Sequence, residues 1–264
     1  MGRNHFSPKL HKRLVFRQDD YKFYTVNALT VRNVAQPDEE FGNFALAEDF
    51  ENLIPEGEVW ISEKTFPQEG LFFIADALTR LKELERGVAE DKAYTAGLDA
   101  EQALREKVNG MKQRAGHSAK HTPPELYQYH YITLPDVKAP VEVWVIDGNL
   151  ARTLYKTDYT EGGHGYVYSW CPRTQIWIDC GVDDREIPFI LAHEYLESRL
   201  MRDEGLGYDP AHEICSKMEF ELRKGGGIKL LLAPGRRKLH KRDLHRLTAP
   251  EVFEAVVKTY VKKA

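Results

Sequence analysis

The chain has 264 residues, 42% hydrophobic and 30% charged, with a formal net charge of -4. That length can bury a substantial core as one large domain or two small ones, and the balance of apolar and charged residues excludes wholesale disorder. No apolar run reaches the roughly eighteen residues of a membrane span, and Met1-Gly-Arg-Asn-His-Phe-Ser7 lacks the apolar centre of a secretion signal, so a cytoplasmic setting without membrane contact is expected.

In chain order, residues 1–20 are polar and basic and read as an extended arm. Residues 21–31 carry the aromatic and branched side chains of a strand, and residues 35–43 are turn material. Gly57-Glu-Val-Trp-Ile-Ser62 is a short strand, and Pro67 opens a helical pattern through Phe72, Phe73, Leu78, Leu81 and Leu84. A second helix is expected over residues 100–114, with Asp99 and Gln102 at capping-box spacing and Gly116 as its stop. Residues 115–124 form the best candidate linker.

Beyond the linker, residues 127–131 and 141–146 read as strands, 147–149 as a turn and 150–158 as a further strand. Glu161-Gly-Gly-His-Gly165 interrupts it; without a Gly-Lys-Ser or Gly-Lys-Thr ending it is a turn rather than a phosphate loop. Residues 166–170 and 176–178 are again strand-like. A helix follows over residues 186–202, with Asp183 and Glu186 at cap spacing, and Asp209-Pro210 introduces another. Gly225-Gly-Gly227 reads as a helix stop and hinge, and residues 250–262 as a last helix docked through Val252, Phe253, Val256, Val257 and Tyr260.

The sequence also repeats itself. Val59-Trp-Ile61 and Ile176-Trp-Ile178 are separated by 117 residues, as are Phe72-Phe-Ile-Ala75 and Phe189-Ile-Leu-Ala192. A degenerate duplication follows, in which Asp76 and Arg80 take the places of His193 and Glu197. Those two would make a surface ion pair but a poor metal site.

The chemistry concentrates in Leu191-Ala-His-Glu-Tyr-Leu-Glu197. His193 and Glu197 lie four residues apart and so on one helical face, while Glu194 projects to the side within reach of a water held between them. His212, in the first turn of the next helix, is the best-placed third ligand, leaving a tetrahedral position open. Such a set would hold Zn2+ or another divalent ion, with Glu194 as general base. His164, Tyr195 and Tyr208 are candidates for steadying a developing oxyanion. Glu219, seven residues after His212, could orient it or serve as an alternative ligand, and Cys215 could also approach. The competing reading is a charged helix with a satisfied core histidine, or a metal that only clamps the fold.

Cys171, Cys180 and Cys215 form no Cys-x-x-Cys pair and are expected to be small buried hydrophobes. Residues 223–264 hold twelve Lys or Arg against three acidic residues, densest in Gly235-Arg-Arg-Lys-Leu-His-Lys-Arg242. An acidic protein or nucleic acid could dock there, though no base-reading motif accompanies the run and a solvated basic face is the plainer reading.

The ordered set Thr160-Glu-Gly-Gly-His164, Trp177-Ile-Asp179, His193-Glu-Tyr-Leu-Glu197 and Tyr208-Asp-Pro-Ala-His212 resembles poorly characterised bacterial and phage-associated proteins with a zincin-like helix. The resemblance covers about fifty residues and implies a compact α+β catalytic unit, with His193 as first ligand, Glu194 as general base and a ligand at Glu197, where zincin metallopeptidases carry histidine. The expectation is therefore an α+β protein divided into a basic arm (1–20), a structural half (21–115), a metal-binding half (125–224) and a basic extension with a docking helix (225–264). Its expected activity is metal-assisted hydrolysis of a peptide or protein amide; the alternative is a noncatalytic interaction module.

Overall fold

Each Val/Ile-Trp-Ile run is an interior strand of a four-stranded mixed sheet in the computed structural model, which describes residues 10–36, 40–50, 53–111, 122–225 and 239–262. The described residues up to Ala35, those from 40 to 111, and residues 149–160 form one unit; residues 122–148 and the described residues from 161 onward form a second. The class is α+β.

The first unit contains β1 (His11–Gln18), β2 (Tyr21–Val26), α1 (Ala28–Arg32), β3 (Phe44–Leu46), β4 (Glu58–Ser62), α2 (Phe66–Glu85) and α3 (Glu90–Asn109), with strand order β1-β2-β4-β3. The second contains β5 (Tyr127–Leu134), β6 (Val141–Ile146), β7 (Gly162–His164), β8 (Gln175–Asp179), α5 (Ile187–Asp203), α6 (Tyr208–Arg223) and α7 (Pro250–Val256), with order β5-β6-β8-β7. The intervening α4 (Gly148–Leu154) belongs to the first unit from Asn149 onward.

The repeat extends to individual backbone bonds. β2 and β4 run parallel with Tyr24 opposite Trp60, and β6 and β8 run parallel with Trp144 opposite Trp177. At the sheet edges β3 and β7 pair antiparallel with β4 and β8. The N–H groups of Ser62 and Asp179 each donate at 2.8 Å, to Asn43 and Glu161, and those of Glu63 and Cys180 each donate at 2.9 Å, to Val26 and Ile146. Period-two alternation then fixes the cores. Val59 and Ile61 meet Phe73, Ala77 and Leu81 of α2, while Ile176 and Ile178 join the cluster containing Ile190 and Leu191 of α5. Full burial of each such side chain contributes about 1.5–3 kcal/mol. Leu244, Leu247, Val252, Phe253, Val256 and Val257 complete the second core, so the C-terminal segment docks there as its apolar spacing implies.

Several local expectations are corrected. Residues 11–18 are a paired strand rather than part of a free arm, because β1 forms an antiparallel ladder with β2. Helix α3, expected over residues 100–114, begins at Glu90 and stops at Gly110, whose φ of 65° closes it in the left-handed region; Asp99 is mid-helix and caps nothing. Residues 150–158 are no strand: α4 runs to Leu154 and turns follow it, the helix being entered at Gly148, where a Cβ would lie 2.1 Å from an Asp179 carboxylate oxygen. The residues at 166–170 fold back through N–H bonds from Val167 and Tyr168 to the His164 carbonyl, and the strand is the glycine-rich 162–164 segment instead. Residues 149–160 cluster with the first unit rather than the metal-binding half. The linker at 115–124 and the basic run at 235–242 fall largely outside the described residues, as do residues 1–9 of the arm. Among the described residues no helix is long and apolar enough to cross a membrane.

The first unit holds its helices together with buried charge. Glu69 of α2 accepts from Arg105 of α3 at 2.7 Å and from Arg152 of α4 at 2.7 and 2.5 Å, and Arg105 also donates to Glu101 at 2.7 Å. Leaving such a charge without its partner costs about 3–5 kcal/mol. Asp76 and Arg80 are buried rather than a surface pair, and Arg80 bonds Asp49 at 2.6 Å. One oxygen of Asp76 finds no hydrogen-bond partner among the described residues.

Burial, then the neighbouring Glu101, pushes the Asp76 carboxyl from 3.8 up to about 8, against the pull of Arg80. Between those values the unfolded chain releases a proton that the folded chain keeps, so this group makes stability fall as pH rises from 3.8 towards 8. Asp76→Asn is expected to flatten that slope and to raise the denaturation midpoint at neutral pH; unfolding curves across the interval measure both.

Candidate metal centre

Helix α5 enters from β8 with Pro188 in its first turn, where the missing amide proton breaks no helical bond. Its face towards the second core is Ile187, Ile190, Leu191 and Leu200, and the same winding carries His193 and Glu197 inward, at 6% and 2% exposure. Helix α6 packs alongside through Ala211, Cys215, Met218 and Leu222. Its N-cap is Gly207, so Asp209 is not the cap and His212 is its fifth residue rather than a first-turn one. Residues 212 and 219, two turns apart, therefore both face α5.

The three expected ligands converge. His193 Nε2 lies 3.5 Å from Glu197 Oε1 and 3.2 Å from His212 Nδ1, and His212 Nδ1 lies 2.9 Å from Glu197 Oε1. Ligands held about 2.0–2.1 Å from a tetrahedral zinc stand about 3.3 Å from one another. The donor separations of 2.9–3.5 Å bracket that value. Glu219 Oε2 faces His193 Nδ1 at 3.1 Å and favours a proton on that nitrogen, so a bound ion would have to displace only the Nε2 proton to gain its lone pair. Glu219 thus steadies His193 rather than His212.

The far side of Glu197 is occupied as well. His164 Nε2 is 2.9 Å from Glu197 Oε2, and its Nδ1 accepts the Tyr166 N–H at 3.2 Å. Glu194 Oε2 stands 3.9 Å from His164 Nε2. The approach of β7 to α5 depends on Gly162, where a Cβ would fall 2.8 Å from Ile190 Cγ2 and 3.0 Å from Glu194 Oε1. That glycine serves close packing rather than a turn. Among the described residues, the groups able to hold a metal are His193, Glu197 and His212, and His164, Glu194 and Glu197, both in the second unit.

Electrostatics separates the two carboxylates of α5. Burial works against the charge of Glu197, yet hydrogen bonds from His164, His193 and His212 hold its carboxyl well below the usual range. Burial, then the charge of Glu197, pushes Glu194 up to about 8, against His193 and His212. Glu219 is brought down to about 2 because Arg223 and His193 outweigh its burial. Burial disfavours a charged His193, but bonds to Glu197 and Glu219 hold its pKa well above the ordinary value. The site draws positive charge to its centre, whether a proton or a dication.

Tyr195 donates to Asp136 at 3.2 Å and is not at the centre, whereas the Tyr208 ring lies 5.0 Å from that of His212. Cys215 is buried beside the site and its thiol is pushed up by burial, which suits packing more than ligation. Two contributors carry no motif in the sequence: Arg223, which donates to Glu219 at 2.8 Å, and Glu186, 3.4 Å from the same guanidinium. The four-residue spacing of Glu219 and Arg223 is the available signal for the first; nothing local marks the second. No protein-family model, curated protein or solved structure was found to match the chain.

Zinc at a hundredfold excess over its Kd is expected to raise the unfolding free energy by about 2.7 kcal/mol. A chelator should reverse the gain, and His193→Ala should show no metal-dependent shift in a thermal melt.

Proposed function

We propose that the protein is a metal-dependent hydrolase acting on a peptide or protein amide, with His193, Glu197 and His212 as ligands and Glu194 as the proton-transferring group. The observation that carries this reading is the donor triangle of 3.5, 3.2 and 2.9 Å with the Glu194 carboxyl beside Glu197. Two imidazoles and one carboxylate form a catalytic type of zinc set, which leaves a position open. A divalent ion bound there supplies a Lewis acid and lowers the pKa of water towards neutrality.

The chain's own residues account for the rest. Burial and the charge of Glu197 raise the Glu194 carboxyl in the metal-free site; a dication beside it would draw that pKa back down and free the carboxylate to take a proton. It removes a proton from the attacking water as the oxygen–carbon bond forms, then delivers it to the amine nitrogen as the carbon–nitrogen bond breaks. Apolar neighbours on α5 and the β7 edge limit competing water. The His212 side chain is the most exposed of the three, at 27% against 3% for Glu197. A set of three protein ligands with one at the surface suits catalysis better than a structural clamp, whose coordination would be closed by protein groups. A cytoplasmic setting belongs to the same proposal.

Glu194→Gln is expected to keep metal content and lower peptide hydrolysis by about 10²–10⁴-fold. Metal analysis of the purified variant, together with turnover on a fluorogenic peptide library, checks both halves. Metal-replete wild type that cleaves neither peptide nor protein substrates would favour a noncatalytic binding role.

A further inference from the structure

We infer that His164 is a positioning residue that makes Glu197 a one-oxygen ligand, by donating its Nε2 proton to Oε2 and leaving Oε1 for the ion. The inference rests on the metal reading above, and it assigns His164 a role other than oxyanion stabilisation or metal ligation. The tautomer decides between those roles. The Tyr166 N–H donates to Nδ1 at 3.2 Å, so Nδ1 presents its lone pair and the proton of the neutral ring sits on Nε2. Nε2 faces Glu197 Oε2 at 2.9 Å. An Nε2–H donates to a carboxylate but offers no electron pair to a cation, which disfavours His164 as a ligand to a second ion despite its place beside Glu194 and Glu197.

The first unit gives an internal control. Its edge strand β3 pairs with β4 as β7 pairs with β8, and Leu46 opposite Val59 occupies the register of His164 opposite Ile176. Leu46 is fully buried in an apolar cluster, so the scaffold accepts leucine at this register. The helix position matching Glu197 is Arg80, whose partner is Asp49. Histidine on the edge strand thus accompanies a carboxylate on the helix, and both are missing from the other copy. At 1% exposure, a histidine there has both nitrogens satisfied only because Tyr166 and Glu197 face it.

His164→Leu imports the residue of the other unit, and His164→Gln restores an N–H donor near the position of Nε2. We expect one ion per chain in the wild type. His164→Leu should fold, as read by circular dichroism and the metal-free melt, but bind zinc about 10–100-fold more weakly. The cobalt(II)-loaded form should lose visible absorption as Glu197 turns both oxygens to the ion and coordination expands from four to five. His164→Gln should recover most of the affinity and the spectrum. Unchanged affinity and spectrum in His164→Leu would overturn the inference, as would two ions per wild-type chain with one lost in His164→Leu. Failure of wild type to bind zinc or cobalt would instead overturn the underlying metal reading, a result separable from the first because it precedes any variant.

Discussion

A single buried carboxylate sets the terms for the second unit. Glu197 stays ionised at 2% exposure, and an ion taken from water costs several kcal/mol unless its oxygens are satisfied. Its own helix offers only His193, one turn away. The remaining partners come from β7, which brings His164, and from α6, which brings His212. The convergence of an edge strand and two helices is thus a solvation requirement as well as a packing result. Gly162 permits the strand to come this close. Glu219, backed by Arg223 and in turn Glu186, carries the same logic outward by fixing the ring of His193.

The first unit shows that this arrangement is not forced by the fold. With the same strand order and the same backbone bonds, it places leucine where the second unit has His164 and an aspartate–arginine pattern where the second has His193 and Glu197. Its buried charges serve cohesion: Glu69 joins arginines from two other helices, whereas Glu186, 117 residues later, lies against the Arg223 guanidinium that bonds Glu219, the partner of His193. One scaffold therefore accommodates either a structural ion cluster or a convergent donor set. The choice lies in a few helix and edge-strand positions.

What could be read from the sequence was what short range order encodes. The offset between Val59-Trp-Ile61 and Ile176-Trp-Ile178 located the interior strands, and four-residue spacing located His193 and Glu197 on one face. His212 was reachable because it lies near the start of the very next helix, as its fifth residue. What failed depended on long-range packing: α4 follows a strand-like composition but forms a helix where Gly148 lies against Asp179, and residues 162–164 form a strand only because β8 supplies a partner. His164 was visible as a residue, but its role turned on a ring nitrogen held by the Tyr166 amide, a contact that no spacing rule contains. Asp76 and Arg80 have the spacing of a simple helical pair, but Arg80 bonds Asp49 of the 3-10 turn after β3, a partner that helical spacing does not announce.

The division of labour between Glu194 and Glu197 follows from counting hydrogen bonds. The two lie three residues apart on α5, so they share burial and the same nearby histidines. Glu197 is held ionised by bonds from three imidazoles; Glu194 Oε2 lies 3.9 Å from His164 Nε2, beyond hydrogen-bond reach, and burial dominates its titration. Environment alone thus separates two carboxyls of one helix, holding one ionised and raising the pKa of the other. An additional donor to Glu194 would draw its pKa down towards that of its neighbour and erase the distinction. Gly162 leaves no room there for a side chain that could supply one, since even a Cβ would fall 3.0 Å from Glu194 Oε1.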